Sequence, residues 1–304
     1  FYYMWIFVSS IIDKAFSSKD SLYPLFGLIV GIAIALLMVS DPYVDIYKFQ
    51  EHSNRGAVSV LDQSSETSKG TKWEYATQWS FHPKELLSLI YPYYFGLQNT
   101  SDVEKGAYWG FMPFTQSTHY VGLVILMFSI LGIVLRKPKR FELIFWVVTG
   151  LIVLTGFGSF FSILYKPFYS LLPFFSKFRI PSMIYLLLAI TIPILGARGL
   201  DIFIEVYEEK KEMKKVFTAI GGFLIMSLFL FMFGELILSF SGFGDARYDP
   251  MTISKLRSAR IELFNKGLLL AIFICISIVA LVYCINQRKI DSKNFKYLVI
   301  LISL

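Results

Sequence analysis

Apolar residues gather in eight runs along the chain, at 1–12, 24–40, 118–135, 141–158, 181–198, 216–240, 267–286 and 295–304. Crossing the ~30 Å hydrocarbon core takes about 20 apolar residues in a helix. The pattern therefore predicts an all-α, polytopic transmembrane bundle of about eight spans. The first and last runs are truncated at the chain ends, so residues 1–304 are expected to be one membrane-embedded piece of a longer polytopic protein. Between the runs lie connections of two kinds. Segments 13–23, 136–140, 199–215 and 287–294 are short and basic, the extreme being "RKPKR" with four basic residues in five. Segments 41–117, 159–180 and 241–266 are longer and mixed; 41–117 carries nine acidic and six basic residues. The two kinds alternate without exception.

Composition agrees with the pattern. Hydrophobic residues make up 55% of the chain, charged residues 17%, and the mean hydropathy is +0.59. Soluble domains average about 45–50% apolar and about 25% charged. The net charge of +7 follows the alternation of connections, so it signals topology and no nucleic acid. Lysine and arginine in short loops mark the cytoplasmic side. The expected location is a bacterial cytoplasmic membrane crossed several times, with loops 41–117, 159–180 and 241–266 extracytoplasmic. Cys275 and Cys284 fall nine residues apart in one run, on nearly opposite helix faces, and read as packing residues. "GLIVG" (Gly27 to Gly31) has the small-xxx-small spacing of close helix packing.

Candidate chemistry concentrates in the outer connections, since the span centres are almost bare of charge. "WEYATQWSFHPKELLSLIYPYYFG" (73–96) predicts a short interfacial helix begun by Pro83, beside an aromatic belt of Trp73, Tyr75, Trp79, Tyr91, Tyr93 and Tyr94. His82, Glu85 and His119 are the weak candidates for acid–base work. In "GAYWGFMPFTQSTHYVG" (106–122), Tyr108, Trp109 and Tyr120 present aromatic faces and hydroxyls suited to a sugar ring or to interfacial anchoring. Residues 157–178 hold nine Phe or Tyr, with Pro167 and Pro173 expected to interrupt any continuous helix, and read as a partly re-entrant, interfacial segment. At its end come Lys177 and Arg179, a basic pair on the side where the charge rule expects none. Arginine grips phosphate oxygens through two parallel hydrogen bonds, so the pair fits a lipid-borne phosphate; snorkelling to bulk headgroups fits it equally. In 241–266, Asp245 and Asp249 are weak acid–base candidates, and Arg247, Lys255, Arg257, Arg260 and Lys266 suit a solvated or anion-binding amphipathic helix.

"WSFHPKELLSLIYPYYFG", "YWGFMPFTQSTHYVG" and "LPFFSKFRIPS", in that order between these runs, resemble the YfhO-like family of bacterial membrane proteins. That family is placed among the GT-C glycosyltransferases. The resemblance implies transfer of a sugar from a polyprenyl-phosphate donor to a cell-envelope polymer or lipid acceptor outside the membrane. It implies that Arg179, with Lys177, contacts the donor phosphate, and that His82, Glu85, Tyr108, Trp109 and His119 belong to outer-loop motifs. The base of such enzymes is an acidic residue in the first outer loop, expected upstream of Phe1. Membrane lipids are further partners, and Phe174 and Phe175 belong to an aromatic wall suited to a polyprenyl chain. A divalent cation accompanies some members of the superfamily, but no cluster here is marked for one. The competing readings are a lipid or polysaccharide transporter or flippase, and a non-catalytic scaffold for envelope assembly.

Overall fold

The computed structural model describes residues 18–50, 72–97, 107–113, 119–172, 175–209, 213–287 and 289–303. The first apolar run, His52 and Phe174 lie outside them. Residues 1–73 and 74–304 form two compact units. In the first, helix α1 (Ser18–Met38) is followed after one residue by α2 (Ser40–Gln50). The expected long loop from residue 41 is therefore helical for its first turns. A Cβ built at Gly27 or Gly31 meets no atom within 4 Å, so among the described residues the "GLIVG" stripe packs on nothing.

The second unit is built mainly of helices: α3 (Leu123–Leu135), α4 (Arg140–Gly156), α5 (Ser162–Leu171), α6 (Leu188–Glu208), α7 (Met213–Ile237), α8 (Pro250–Asn286) and α9 (Ser292–Ser303). Three helices among the described residues are long and apolar enough to cross a membrane: Pro181–Glu208, Met213–Ile237 and Pro250–Asn286. A fourth crossing is formed if α4 and the following Gly158–Leu171 segment, bent by 116°, count as one span. Helix α3 has only 13 residues, about 20 Å of rise, because the run predicted from residue 118 starts its helix at Leu123.

Glycine lets α3 and α6 touch backbone to backbone. A Cβ at Gly199 would overlap the Phe128 carbonyl oxygen, and one at Gly196 would stand 2.8 Å from the carbonyl of Ile125. The Ser129 hydroxyl sits in the same seam, 2.8 Å from the Ile125 carbonyl and 3.1 Å from that of Ile192. One end of the bundle is tied by ion pairs. Arg198 meets Glu142 at 2.7 Å, Arg136 meets Glu205, and Lys296 meets Asp201 at 2.8 Å. These residues come from three of the short basic connections or their borders, 136–140, 199–215 and 287–294, which therefore meet at one end.

Three expectations about the other end change. The α4–α5 break falls at Gly156–Gly158 and not at a proline: Gly158 takes φ +50°, and a Cβ there would run into Ser80 and Pro181. Helix α5 passes through Pro167, its sixth residue, and runs on to Leu171 despite the one backbone donor the proline lacks. Segment 241–266 is a loop only as far as Asp249; from Pro250 it is the first part of α8, whose 37 residues rise about 55 Å. The apolar stripe of the span continues down one face through Phe264 and Leu256, and helix continuity follows it.

The largest change concerns 72–97 and 107–113. Tyr91 and Tyr94 are 1% and 3% exposed, which places them in the core and not in a headgroup belt. The Tyr91 hydroxyl lies 3.1 Å from Ser227 Oγ. Ser227 is ten residues from the end of α7, about 15 Å along its axis. The Tyr93 backbone packs on Gly267, the Tyr94 ring on Phe264, and Val121 N donates to the Leu89 carbonyl. Within the second unit, residues 81–97 form a plug pushed into the bundle between α3, α7 and α8.

Candidate functional site

The site grows from the turns at the head of the plug. Residues 73–82 make one helical turn, Trp73–Ala76, and a bend at Trp79, whose φ is +57°. That bend lays the Trp79 ring over the guanidinium of Arg179, with 4.4 Å from Cζ to the ring centroid. Tyr75 lies at 4.2 Å from the same Cζ. Arg179 Nη1 donates to Tyr75 Oη and Nη2 to Gln78 Oε1, both at 2.9 Å. Its Nε is shielded from solvent and has no acceptor, and among the described residues no carboxylate pairs with it. Ile180 follows at φ +65°, a conformation that β-branched residues rarely take. Backbone strain of this kind persists only where the surroundings enforce it, and it clusters at functional sites.

Ser80 locks the same turn to the α4–α5 break. Its hydroxyl donates to the Thr77 carbonyl at 2.6 Å and accepts from Ser159 N at 2.9 Å, while Phe81 N donates to the Gly156 carbonyl. Lys177 closes the 3₁₀ turn Phe175–Lys177, two residues before Arg179. Phe175 is packed against Tyr165 and Phe168. Apolar side chains continue outward from Arg179, with Phe178 64% and Leu186 78% exposed.

Pro83 begins the predicted short helix, a 3₁₀ turn (Pro83–Leu86) running into Leu87–Ile90. His82 caps it: Nδ1 accepts from Lys84 N, and the ring stacks on Phe111 at 3.7 Å. Burial, aided by the Lys84 charge, holds its pKa below the usual value. His119 packs edge-on to Phe81 and Tyr185, and burial likewise favours its neutral form. Tyr120 accepts from Leu123 N and so begins α3.

Glu85 is the buried acid of the plug, 2% exposed. Oε1 accepts from Phe111 N at 2.8 Å and Oε2 from Tyr108 Oη at 3.0 Å; Tyr108 Oη in turn accepts from Met112 N. Burial raises its pKa to about 7, outweighing the two hydrogen bonds that favour the anion. Tyr108 and Trp109 are each 8% exposed, and the Trp109 ring is covered by Tyr94, Phe95 and Phe240. Their faces are occupied by protein here and not turned to a ligand.

A carboxyl whose pKa is raised in the fold stabilises most below its unfolded value and loses that contribution as pH rises. For Glu85 the window runs from the ordinary 4.5 to about 7. Wild type is therefore expected to lose on the order of 2 kcal/mol of stability from this group across that window. Melting curves from pH 4.5 to 8 in detergent check this: the decline should be shallower in Glu85→Gln, and equal slopes would show that Glu85 titrates normally.

Asp245 and Asp249 have structural partners. Asp249 caps α8, accepting from Met251 N and Thr252 N. Asp245 forms a two-pronged pair with Arg260, both contacts 2.7 Å. Sequence reading placed Arg260 among solvated cations, yet it is 3% exposed. The available signal was its position in the stripe Leu256, Arg260, Phe264, where a core residue was due. Gln78 and Tyr185 also escaped it. Among the described residues, no group of three His, Cys, Asp or Glu is placed to hold a metal ion. The chain matches no protein-family model, no curated protein and no solved structure.

Proposed function

We propose that this protein is a membrane glycosyltransferase of the GT-C type, which moves a sugar from a polyprenyl-phosphate donor to a cell-envelope acceptor on the extracytoplasmic face of a bacterial cytoplasmic membrane. The observation that carries the reading is Arg179: a guanidinium whose Cζ lies 4.2 and 4.4 Å from the centroids of two aromatic rings, with neutral partners on two nitrogens and, among the described residues, no carboxylate paired with it. A phosphate supplies both the missing charge and acceptors for the remaining N–H groups. The exposed apolar residues running from Phe178 to Leu186 suit the lipid tail of the same molecule.

In the reaction the acceptor hydroxyl attacks the anomeric carbon, the bond from that carbon to the phosphate oxygen breaks, and the electron pair leaves on phosphate. Arg179 stabilises that developing charge. The acceptor's proton goes to a base; among the described carboxyls Glu85 has the proton affinity suited to the task, once the 107–113 segment moves off it.

The test follows transfer of labelled sugar from a polyprenyl-phosphate donor in membranes bearing wild type, Arg179→Lys or Arg179→Ala at equal abundance. Loss of one such donor group typically costs a factor of about 100 or more in rate; Ala should show that loss, and Lys should recover little of it because it lacks the fork. Undiminished transfer in both variants would reduce Arg179 to an anchor. Absence of transfer by wild type from any such donor would favour a scaffold or a flippase.

A further inference from the structure

Four non-glycine residues among those described take positive φ: Trp79, Ala107, Ile180 and Phe240. Two belong to the turns around Arg179. The other two converge on Arg260, although they lie 133 residues apart in sequence. Arg260 Nη1 donates to the Phe240 carbonyl at 2.9 Å, while Nε and Nη2 lie 3.4 Å from the carbonyls of Ala107 and Tyr108. Asp245 takes the outer edge of the guanidinium and also accepts from Gly242 N at 2.8 Å. One buried cation thus contacts both strained turns.

The second turn opens the strap 107–113. Trp109 N donates to the Phe95 carbonyl; among the described residues the other hydrogen bonds that tie the strap to the plug end on Glu85, through Tyr108 Oη and Phe111 N. Arg260 itself does not touch Glu85. It holds the backbone at Ala107 and Tyr108, and Tyr108 reaches across with its hydroxyl. We propose that Arg260 is a positioning residue: by gripping Ala107 and Tyr108 it keeps the 107–113 strap closed over Glu85, making that carboxyl a sealed proton-binding site in the plug. The inference does not depend on sugar transfer, and its test uses no donor.

The groups around Glu85 decide what the test must separate. Tyr108 faces it from the strap, Tyr185 lies within electrostatic reach from the turn after Arg179, and Lys84 and His82 share its own segment. His119 packs against Phe81 and Tyr185 from the start of α3. Two effects on Glu85 oppose each other, and burial is the larger. Opening the strap admits water and lowers the proton affinity; deleting only the Tyr108 hydroxyl leaves the seal and removes a bond that favours the anion, raising it.

The experiment titrates the tryptophan emission of the full chain in lipid nanodiscs and isolates the component that Glu85→Gln abolishes. In wild type its midpoint is expected at about pH 7. Arg260→Gln should move that midpoint down by roughly one pH unit or more, and Tyr108→Phe should move it up. Arg260→Lys, which keeps the charge but loses the fork, should shift it less in the same direction as Gln and serves if the Gln variant fails to fold. An unchanged midpoint in a folded Arg260 variant would overturn the proposal, because Arg260 would then serve only α8 and its own turn. So would a fall in both Arg260→Gln and Tyr108→Phe, which would report general loosening. If Glu85→Gln removes no component, Glu85 is not the proton site.

Discussion

Gly199→Ala is expected to unfold the bundle at markedly lower temperature than wild type, while Gly150→Ala leaves it unchanged or raises it. The two substitutions add the same methyl group to neighbouring helices and relieve the same helix penalty, about 1 kcal/mol per glycine. What differs is the space. At Gly150 a Cβ meets nothing within 4 Å; at Gly199 it overlaps the Phe128 carbonyl oxygen, and the Gly132 amide nitrogen is 3.3 Å away. A backbone oxygen inside a helix cannot step aside as a flexible side chain does. Helices α3 and α6 must separate along the whole seam, taking Ser129 away from the Ile192 carbonyl. Overpacking of this severity costs about 3 kcal/mol, on the order of 10 °C in melting temperature for a chain of this size. Thermal unfolding in one detergent, with both variants side by side, reads it directly. Equal melting temperatures would mean that α3 and α6 are not in backbone contact.

That seam was not legible in the sequence. The small-xxx-small spacing that attracts the eye is Gly27 to Gly31, which packs on nothing among the described residues. Gly196 and Gly199 are three apart and meet Ile125 and Phe128, each 71 residues upstream, so the signal exists only in the pairing. The helical class and the basic ends were readable, because apolar run length and lysine position are local properties. Burial of the 81–97 plug was not. Tyr91 and Tyr94 have the composition of an interfacial belt, and only the contacts to Ser227 and Phe264 place them inside. Arg179 could be singled out from its neighbours Phe178 and Pro181, but its cage comes from Tyr75, Gln78 and Trp79, a hundred residues earlier. The α8 boundary was misplaced because charge density was taken as the mark of a loop. A helix that outruns the ~30 Å hydrocarbon core by about 25 Å can carry charges on its outer turns and still bury one of them, Arg260, on the core face.

That buried arginine supports the second large effect, expected for Asp245→Ala. The side chain of Arg260 is 3% exposed and that of Asp245 14%, so removing the acid leaves a cation enclosed with only carbonyl dipoles around it. Breaking one half of such a pair costs about 3–5 kcal/mol. Burial opposes the charge on Asp245, but Arg260 and the Gly242 amide together hold its carboxyl below the usual carboxylate range, as a committed ion pair requires. The reverse substitution, Arg260→Met, differs in kind. It leaves an acid near enough to the surface to be hydrated, but releases the Phe240 carbonyl and loosens those of Ala107 and Tyr108. Both single variants should therefore be destabilised, the first by an unpaired charge and the second by lost backbone anchors. In the double variant the unpaired charge is gone and only the anchor loss remains. Its destabilisation should fall short of the sum of the two by about 1–3 kcal/mol, the range of coupling for groups in direct contact. Unfolding of the four proteins in one lipid environment closes that cycle. Strict additivity would mean that Asp245 and Arg260 act independently, and that the strained turns at Ala107 and Phe240 are held by packing alone.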